Sequence, residues 1–179
     1  MNAVSARVTL LFTILGSPAF AAMSLTSTDM AAGDPINVRH IYPRCGGENL
    51  SPQLSWSGAP VNTRSFVLTM IDLDVTPSQW SHWVVVNLPA SLHSMARGAA
   101  SLPGRARAVA SNFGDAAYAG PCPPAGTGVH HYQFTIWAMP AAETSLAADE
   151  KATELTSRLS HLALEQASLT ALVQAPAGH

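Results

Sequence analysis

The stretch SHWVVVN at positions 81–87 places a histidine at the beginning of a run of aromatic and β-branched residues. Such residues favour sheet structure, so the run predicts a largely buried strand over 82–87. Similar runs predict strands over 65–71 and 132–139; the first is followed by the sequence DLD, and the second is preceded by two histidines. Three predicted core strands therefore each carry titratable residues at one end, which indicates one shared site.

The rest of the chain predicts a mostly-β protein. Residues 51–56 alternate apolar and polar side chains as a half-buried strand does, while 25–37 read as an extended segment and 167–173 as a last strand. The stretch 89–129 is rich in Gly, Pro and Ala. Because a structureless loop of about 40 residues is abnormal in a compact domain, we expect short strands there and part of the functional face.

One helix is predicted near the C-terminus, over 151–165. Leu155, Leu159 and Leu162 recur at helical spacing with polar residues between them, which is typical of an amphipathic surface helix. Many short strands, 13 prolines and a single helix define the expected fold class as mostly β. The length of 22–179 fits one domain.

Residues 1–21 predict an export signal peptide. Arg7 precedes the apolar run 8–15, and Ala19 and Ala21 supply the small residues that a signal peptidase requires. The run is far shorter than the roughly 20 residues of a membrane-spanning helix, so no transmembrane anchor is expected. We expect cleavage after Ala21 and a periplasmic or secreted mature protein.

The charge of the chain argues against one class of partner. It carries 9 Lys and Arg against 11 Asp and Glu, a net charge of −2, and it has no polybasic face for nucleic acid. The segment 75–114 contains no acidic residue but holds Arg97, Arg105 and Arg107. This segment either biases a nearby pocket toward anions or forms a solvated loop.

Cys45 and Cys122 are the only cysteines. In an oxidising compartment an even pair is interpreted first as a disulfide. The alternative is a nucleophilic or metal-binding thiol. Cys122 lies between prolines, with no helix N-terminus to lower its pKa, so use as a nucleophile is disfavoured.

The predicted strands determine which titratable side chains share a face. Residues two apart on a strand point the same way, so His130 and Tyr132 share one face and His131 lies on the other. By the same rule His82 is expected to share its face with Val84.

A pocket that receives His82, His130 and Tyr132 offers two imidazoles and a phenol, which are hydrogen-bond donors when the imidazoles are suitably protonated. A nearby Asp72 would raise the pKa of a histidine and fix its tautomer. This combination suits a small anion such as a phosphate monoester or the head group of a diester.

The sequence GPCPP at positions 120–124 indicates a stiff wall beside this pocket. Glycine lets the backbone approach a ligand closely, and prolines have little conformational entropy left to lose. The alternative is a proline-rich turn fixed by Cys122, and each histidine alone is more often structural than a ligand-binding residue. The joint occurrence of these features favours a binding site.

Several short stretches, in a fixed order along the chain, resemble a known family. They are GGENLSP at 46–52, LSW at 54–56, the run 65–74, HWVVVNLP at 82–89, NFG at 112–114, and the segments 118–124, 128–132 and 161–171. With these stretches the sequence resembles the phosphatidylethanolamine-binding protein family, in its bacterial Raf-kinase-inhibitor-like branch. The resemblance covers nearly the whole of 22–179.

This resemblance implies a compact fold of two β-sheets with a C-terminal helix, and a pocket that accepts phosphate-like groups. Carried over to this chain, the pocket residues are Asp72, His82, His130 and Tyr132, with Gly120, Pro121 and Pro123 as its wall. Trp80 is expected at the mouth, unless it is an ordinary core residue.

The chain departs from the family pattern beside two of these residues. Leu73 stands where the family has the first proline of its aspartate motif, and the second is absent at Thr76, with Pro77 one place later. His131 stands where the family usually has arginine, and an imidazole cannot reproduce a bidentate guanidinium. If that arginine braces the aspartate loop, bracing in this chain should be weaker and should depend on pH.

The leading hypothesis is an exported, non-enzymatic binding protein for a small phosphorylated or other anionic ligand, with no cofactor and no bound metal. One alternative is a metal-dependent hydrolase, since aspartate and histidine ligands suit zinc or manganese. Its candidate ligands are Asp72, Asp74, His82, His130 and His131. Against it, His130 and His131 face opposite ways on a strand. A further alternative is an inhibitor or scaffold that acts through its surface on a protein partner in the periplasm.

Overall fold

The computed structural model describes residues 22–146 and 151–178. Within these residues the chain forms eight β-strands in two sheets and one α-helix. The strands are β1 (Ser24–Thr26), β2 (Leu54–Ser57), β3 (Ser65–Asp72), β4 (Trp80–Pro89), β5 (Ser94–Met95), β6 (Arg107–Val109), β7 (Val129–Met139) and β8 (Glu165–Gln174). Helix α1 (Ala152–Leu162) precedes β8, and two 3-10 turns occupy Val38–His40 and Pro43–Cys45. The expected mostly-β, two-sheet fold is therefore confirmed.

All neighbouring strands are antiparallel. The smaller sheet has the order β1-β2-β5, and the larger sheet has the order β6-β4-β3-β7-β8. Strand β3 is buried at every position because it lies at the centre of the larger sheet and both faces are covered. Each face belongs to a separate core cluster.

The two core clusters show what covers the larger sheet. On one face Phe66 packs in a cluster with Leu54 and Trp56 of the smaller sheet. On the other face Val67 belongs to a cluster with Leu155 and Leu159 of α1. The larger sheet is thus the middle layer, between the smaller sheet and the helix.

Most of the predicted strands form, with extended bounds. β3, β4, β7 and β8 contain the strands predicted at 65–71, 82–87, 132–139 and 167–173, and β2 begins three residues after the predicted 51. The extended segment 25–37 forms strand only in β1, and a bridge joins Pro35 to Leu172 further along. The stretch 89–129 contains β5 and β6, as expected.

The helix is shorter than predicted and ends at Leu162. Leu155 and Leu159 are buried, but Leu162 is 48% exposed, because the chain leaves the helix after it and begins β8 at Glu165. Among the described residues no helix is long and apolar enough to cross a membrane. The predicted signal peptide, residues 1–21, lies outside the described residues.

Cys45 and Cys122 form a disulfide bond. The bond joins the second 3-10 turn to the loop 118–124, which we call the wall loop. Hydrogen bonds join the same two regions: the N–H of Tyr42 donates to the carbonyl of Pro121 (3.0 Å), and the N–H of Gly120 donates to Oδ1 of Asn49 (2.8 Å). The wall loop is therefore fixed against residues 40–49.

Candidate functional site

A β-bulge in β4 directs His82 into the site. In the β3–β4 ladder Met70 pairs with Trp83 and Ile71 pairs with Ser81, so His82 is an extra, unpaired residue. Its ring contacts the ring of Tyr132 edge-on, with centroids 5.0 Å apart. Val84 packs on the opposite face, in the cluster beneath α1. The prediction that His82 shares a face with Val84 is wrong, because a bulge interrupts the two-residue alternation of a strand.

The register of β3 with β7 brings the other predicted residues together. Asp72 pairs directly with Tyr132, and Nδ1 of His130 lies 2.7 Å from Oδ2 of Asp72. All four predicted pocket residues are buried, with exposed fractions of 2% for Asp72, 3% for His82, 4% for His130 and 0% for Tyr132. Side chains from three strands thus gather at one end of the larger sheet.

His130 has a hydrogen-bond partner at each ring nitrogen. Its Nε2 lies 2.8 Å from the hydroxyl oxygen of Thr127, and that hydroxyl donates to the carbonyl of Pro124 (2.7 Å). Since the Thr127 proton is used there, its oxygen accepts from Nε2–H, and Nδ1–H donates to the Asp72 carboxylate. Both ring nitrogens of His130 are therefore engaged, and the imidazole is fixed against the buried Asp72 carboxylate.

His82 is held differently, by the wall loop. Its Nδ1 donates to the carbonyl of Ala119 (2.9 Å), and the N–H of Ala119 donates to the carbonyl of His82 (3.1 Å). Burial lowers the pKa of His82, so the ring is neutral at pH 7 and Nε2 keeps a lone pair.

The hydroxyl of Tyr132 is buried and makes no hydrogen bond of ordinary geometry among the described residues, although the Asp72 carboxylate lies beside it. Burial, together with the nearby Asp72 carboxylate, raises the pKa of Tyr132, so the hydroxyl keeps its proton. Leaving such a group unsatisfied costs about 1–3 kcal/mol. The free hydroxyl is therefore an expensive feature that a bound molecule could satisfy.

Asp72, His82 and Tyr132 border a cavity of about 320 Å³, which we call the site cavity. Its lining consists of Arg44, Asp72, Val75, Trp80, His82, Phe113, Cys122, Pro123, Pro124 and Tyr132. His130 is not part of the lining and lies behind Asp72. The half-exposed rings of Trp80 and Phe113 stand at the mouth, with centroids 6.4 Å apart, and Phe113 also contacts the His82 ring.

The predicted wall residues divide between two cavities. Pro123 lines both the site cavity and a neighbouring apolar cavity of about 300 Å³, while Pro121 lines only the neighbouring one. Gly120 lines neither; its backbone packs against the backbone of His40. Lining residues that sequence reasoning missed include Arg44 and Phe113. Arg44 could have been found from the sequence, because it precedes a cysteine predicted to be bonded to the wall loop.

The aspartate loop, residues 72–79, is braced by His131. The backbone N–H and Nδ1 of His131 lie 2.5 Å and 3.0 Å from Oδ2 of Asp74, and the N–H of Asp74 donates to Oδ1 of Asp72 (3.0 Å). Partial burial alone would raise the pKa of Asp74, but the hydrogen bonds from His131 hold it below its usual value. His131 thus occupies a bracing position, with a side chain that is 48% exposed.

His131→Ala is expected to raise the pKa of Asp74 only part of the way to its usual value, because the backbone N–H of residue 131 still donates. The contribution of Asp74 to stability is present above pH 3.8 and is lost as the pH falls through its lowered folded value. As the pH falls, the variant should therefore lose the Asp74 contribution to stability at a higher pH than the wild type does. Carboxyl NMR titration of Asp74 measures this, with His131→Arg as the matched control. An unchanged Asp74 titration in His131→Ala would show that the imidazole contributes nothing.

One group of described residues has a spacing that suits a metal ion. Ligand atoms of Asp72, Asp74 and His130 all lie within 4.8 Å of one another. These atoms already serve the hydrogen-bond network, since Nδ1 of His130 donates to Asp72 and Asp74 accepts from His131. A metal ion would have to displace the proton between His130 and Asp72. His131 is exposed and His130 is buried, so the two histidines lie on opposite faces of β7, as predicted.

Comparisons with known proteins agree with this fold. A family model described as phosphatidylethanolamine-binding protein matches residues 26–174. The chain is 40% identical to the Escherichia coli K12 protein YbcL over 139 residues, covering 73% of this chain and 76% of YbcL, and 40% identical to YbhB of the same organism over 124 residues, covering 65% and 78%. LppC of Mycobacterium tuberculosis, 36% identical over 126 residues (70% of this chain, 60% of LppC), carries the word lipoprotein in its name.

A solved structure extends the similarity to three dimensions. The crystal structure of Escherichia coli YbcL, described as a member of the mammalian PEBP family, superposes with a TM-score of 0.78 at 32% identity, covering 85% of this chain and 98% of that one. The family model, the sequence relatives and the shared fold agree, and the chain belongs to the phosphatidylethanolamine-binding protein family.

Proposed function

We propose that this protein is an exported binding protein that captures a small phosphate-like anion in the site cavity. The observation that carries the proposal is the buried hydroxyl of Tyr132, which makes no hydrogen bond of ordinary geometry and belongs to a residue that lines the site cavity. Because an unsatisfied buried hydroxyl costs stability, a ligand oxygen that accepts from it gains a favourable contact.

The charge and shape of the lining support an anion. Arg44 stands on the lining, and a guanidinium is well suited to oxyanions because it can donate two parallel hydrogen bonds. Cys122, Pro123 and Pro124 make one wall stiff, so little ordering is required on binding. A volume of about 320 Å³ accommodates a phosphate or a small phosphomonoester.

The lining also supports binding rather than covalent catalysis. None of the residues that border the site cavity is a serine, a threonine or a free cysteine, and Cys122 is held in the disulfide. Carboxylate, imidazole and phenol groups can also act as nucleophiles, but Asp72 already accepts from His130 and from the Asp74 N–H, and burial raises the pKa of Tyr132 so that it keeps its proton. We therefore propose capture of the ligand without chemistry.

Tyr132→Phe is expected to lower the affinity for inorganic phosphate about 10-fold or more, because a hydrogen bond to a charged group contributes about 1.5–3 kcal/mol. Its stability should equal or exceed that of the wild type, since the lost hydroxyl had no partner. Calorimetry with inorganic phosphate and phosphoethanolamine measures the affinity, and urea denaturation measures the stability. His93→Ala is the control, because His93 is exposed and lines a different cavity. Absence of binding in the wild type, or equal affinity in Tyr132→Phe, would refute the proposal.

A metal-dependent hydrolase is the second candidate function, favoured by the spacing of Asp72, Asp74 and His130. Metal analysis of the purified protein distinguishes the two. Stoichiometric zinc or manganese together with phosphoesterase activity would support the hydrolase. Protein that binds phosphate equally well after dialysis against a chelator would support the binding protein.

Export and a protein partner complete the proposal. The pattern of residues 1–21 supports a signal peptide, and mass spectrometry of protein from a periplasmic or secreted fraction should find an N-terminus at Ala22. A full-length chain with Met1 in that fraction would contradict cleavage. A role in modulating a partner in the periplasm is tested by a pull-down from periplasmic extract.

A further inference from the structure

Thr127 is an exposed residue that connects two sides of the site cavity without lining it. Its hydroxyl donates to the carbonyl of Pro124 (2.7 Å), and the same oxygen lies 2.8 Å from Nε2 of His130. Nδ1 of His130 in turn lies 2.7 Å from Oδ2 of Asp72. Pro124 and Asp72 are both on the cavity lining. An exposed hydroxyl is thus joined to the cavity through a buried imidazole.

The carboxylate of Asp72 is also held from its other side. The N–H of Asp74 donates to Oδ1 (3.0 Å), while Oδ2 faces His130. The terminal torsion of an aspartate side chain has broad minima, so a rotamer preference alone does not fix the direction of its oxygens. The two hydrogen bonds therefore determine where the Asp72 carboxylate points.

The hydroxyl of Tyr132 is a competing donor for this carboxylate. Tyr132 and Asp72 are direct partners in the register of β3 with β7, and the carboxylate contributes to the raised pKa of Tyr132. The hydroxyl nevertheless makes no hydrogen bond of ordinary geometry. Hydrogen bonds to an ionised group are roughly twice as strong as those between neutral groups. A carboxylate released by His130 would therefore turn to the hydroxyl and accept from it.

Building on the proposed function, we infer that Thr127 is a positioning residue of the site cavity. By fixing the ring of His130, it keeps the Asp72 carboxylate directed away from the Tyr132 hydroxyl. That hydroxyl then remains available to an oxygen of the ligand. Without the Thr127 hydroxyl, the carboxylate becomes an internal competitor for the hydrogen bond that the ligand uses.

Thr127→Val tests this role, because valine has nearly the same shape and lacks the hydroxyl. We expect its affinity for inorganic phosphate to fall about 5-fold, which corresponds to one hydrogen bond of typical net strength. Thr127→Ser keeps the hydroxyl and should bind phosphate within about 2-fold of the wild type. Calorimetry measures the affinities, and circular dichroism confirms that each variant is folded.

Thr63→Val is the matched control, because Thr63 closes the same kind of turn. Its hydroxyl and its N–H both donate to the carbonyl of Pro60 (2.7 Å and 3.0 Å), as those of Thr127 do to Pro124 (2.7 Å and 3.3 Å). Within the described part of the chain, the Thr63 hydroxyl is not bonded to a histidine, and Thr63 lines a different cavity. Phosphate affinity should therefore be unchanged in Thr63→Val.

A double-mutant cycle separates positioning from a merely structural effect. In Tyr132→Phe the hydroxyl is already absent, so adding Thr127→Val should change phosphate affinity by less than about 2-fold. If Thr127 acted only by stabilising its turn, the same loss would occur in both backgrounds. Equal losses would therefore overturn the inference.

The hydrogen bonding of Tyr132 can also be measured without a ligand. Carbon NMR of protein labelled at tyrosine Cζ reports whether the phenol donates to a carboxylate. The Tyr132 signal should shift in Thr127→Val and should stay in place in Thr127→Ser and Thr63→Val. An unshifted signal in folded Thr127→Val would overturn the positioning role, whatever the protein binds.

The outcomes distinguish this inference from the proposed function. Equal phosphate affinity in Thr127→Val and in the wild type would overturn the inference and leave an anion-binding protein. Absence of phosphate binding by the wild type would overturn the proposed function, and with it the role of the free hydroxyl in binding.

Discussion

Gly120→Ala is expected to lower the free energy of unfolding by about 3 kcal/mol, at the upper end of what overpacking costs. A Cβ at this position would lie 2.2 Å from the carbonyl oxygen of His40 and 2.7 Å from the carbonyl carbon of Ile41 and from the nitrogen of Tyr42. All three are backbone atoms, so no rotamer change can relieve the contact. The wall loop would have to move away from residues 40–42.

Movement of the wall loop would also disturb the site. The N–H of Gly120 donates to Asn49, and the neighbouring Ala119 holds the ring of His82. We therefore expect Gly120→Ala to weaken phosphate binding as well as stability. Urea denaturation and calorimetry measure the two effects.

Gly33→Ala is the matched control for this substitution. Gly33 has a φ of 83°, but a Cβ there meets nothing within 4 Å, so only left-handed backbone strain of about 1 kcal/mol is expected. Phosphate affinity should not change, because Gly33 is not on the lining of the site cavity. Equal losses of stability in the two variants would mean that the wall loop accommodates the methyl group and that the close contact has no energetic consequence.

The gathering of Asp72, His130 and Tyr132 could be predicted because it follows from strand periodicity. Alternation put His130 and Tyr132 on one face, and the apolar run before Asp72 predicted a buried strand that ends at this residue. The antiparallel register then made Asp72 and Tyr132 direct partners. Period and burial are local properties of the sequence, so the shared face of His130 and Tyr132 could be predicted, whereas the pairing of β3 with β7 is known only from the structure.

The orientation of His82 could not be predicted in the same way. The three valines that follow it are apolar on both faces, so no polar residue marks the point where alternation breaks. The bulge is revealed only by the pairing with Met70 and Ile71. Only the structure establishes that the ring reaches Tyr132.

Phe113, a cavity residue outside the strands, was missed because its position depends on contacts between distant segments. Phe113 lies in the Gly-, Pro- and Ala-rich stretch, which has no period to interpret. Gly120 was expected to allow close approach of a ligand, and the structure shows close approach to the backbone of His40 instead. Glycine does allow a close approach at this position, but the sequence could not identify what approaches it.

Removal of the disulfide, with Cys45→Ala and Cys122→Ala together, is expected to lower the free energy of unfolding by about 4 kcal/mol. The bond closes a loop with a sequence separation of 77. In the chain-entropy model, opening a loop of that length increases the conformational entropy of the unfolded chain and so favours unfolding. Since marginal stability in small domains is about 5–15 kcal/mol, this is a large fraction of the total.

The folded form of this variant should nevertheless keep the wall loop in place. Hydrogen bonds between Tyr42 and Pro121, between Gly120 and Asn49, and from the Tyr118 hydroxyl to His40 join the same regions without the bond. Phosphate affinity, measured under conditions where the variant is folded, should thus stay within about 3-fold of the wild type, a change well below the loss of one hydrogen bond to a charged group. The effect is on the unfolded chain more than on the site.

Urea denaturation with and without a reductant provides the control. Reductant should destabilise the wild type by about the same 4 kcal/mol and should have no effect on the double variant, because that variant has no bond to lose. A wild-type shift below about 1 kcal/mol would show that the unfolded chain gains little freedom when the bond opens. Large loss of phosphate affinity in the folded double variant would instead mean that the covalent link, and not the hydrogen bonds around Gly120, holds the cavity wall in its binding geometry.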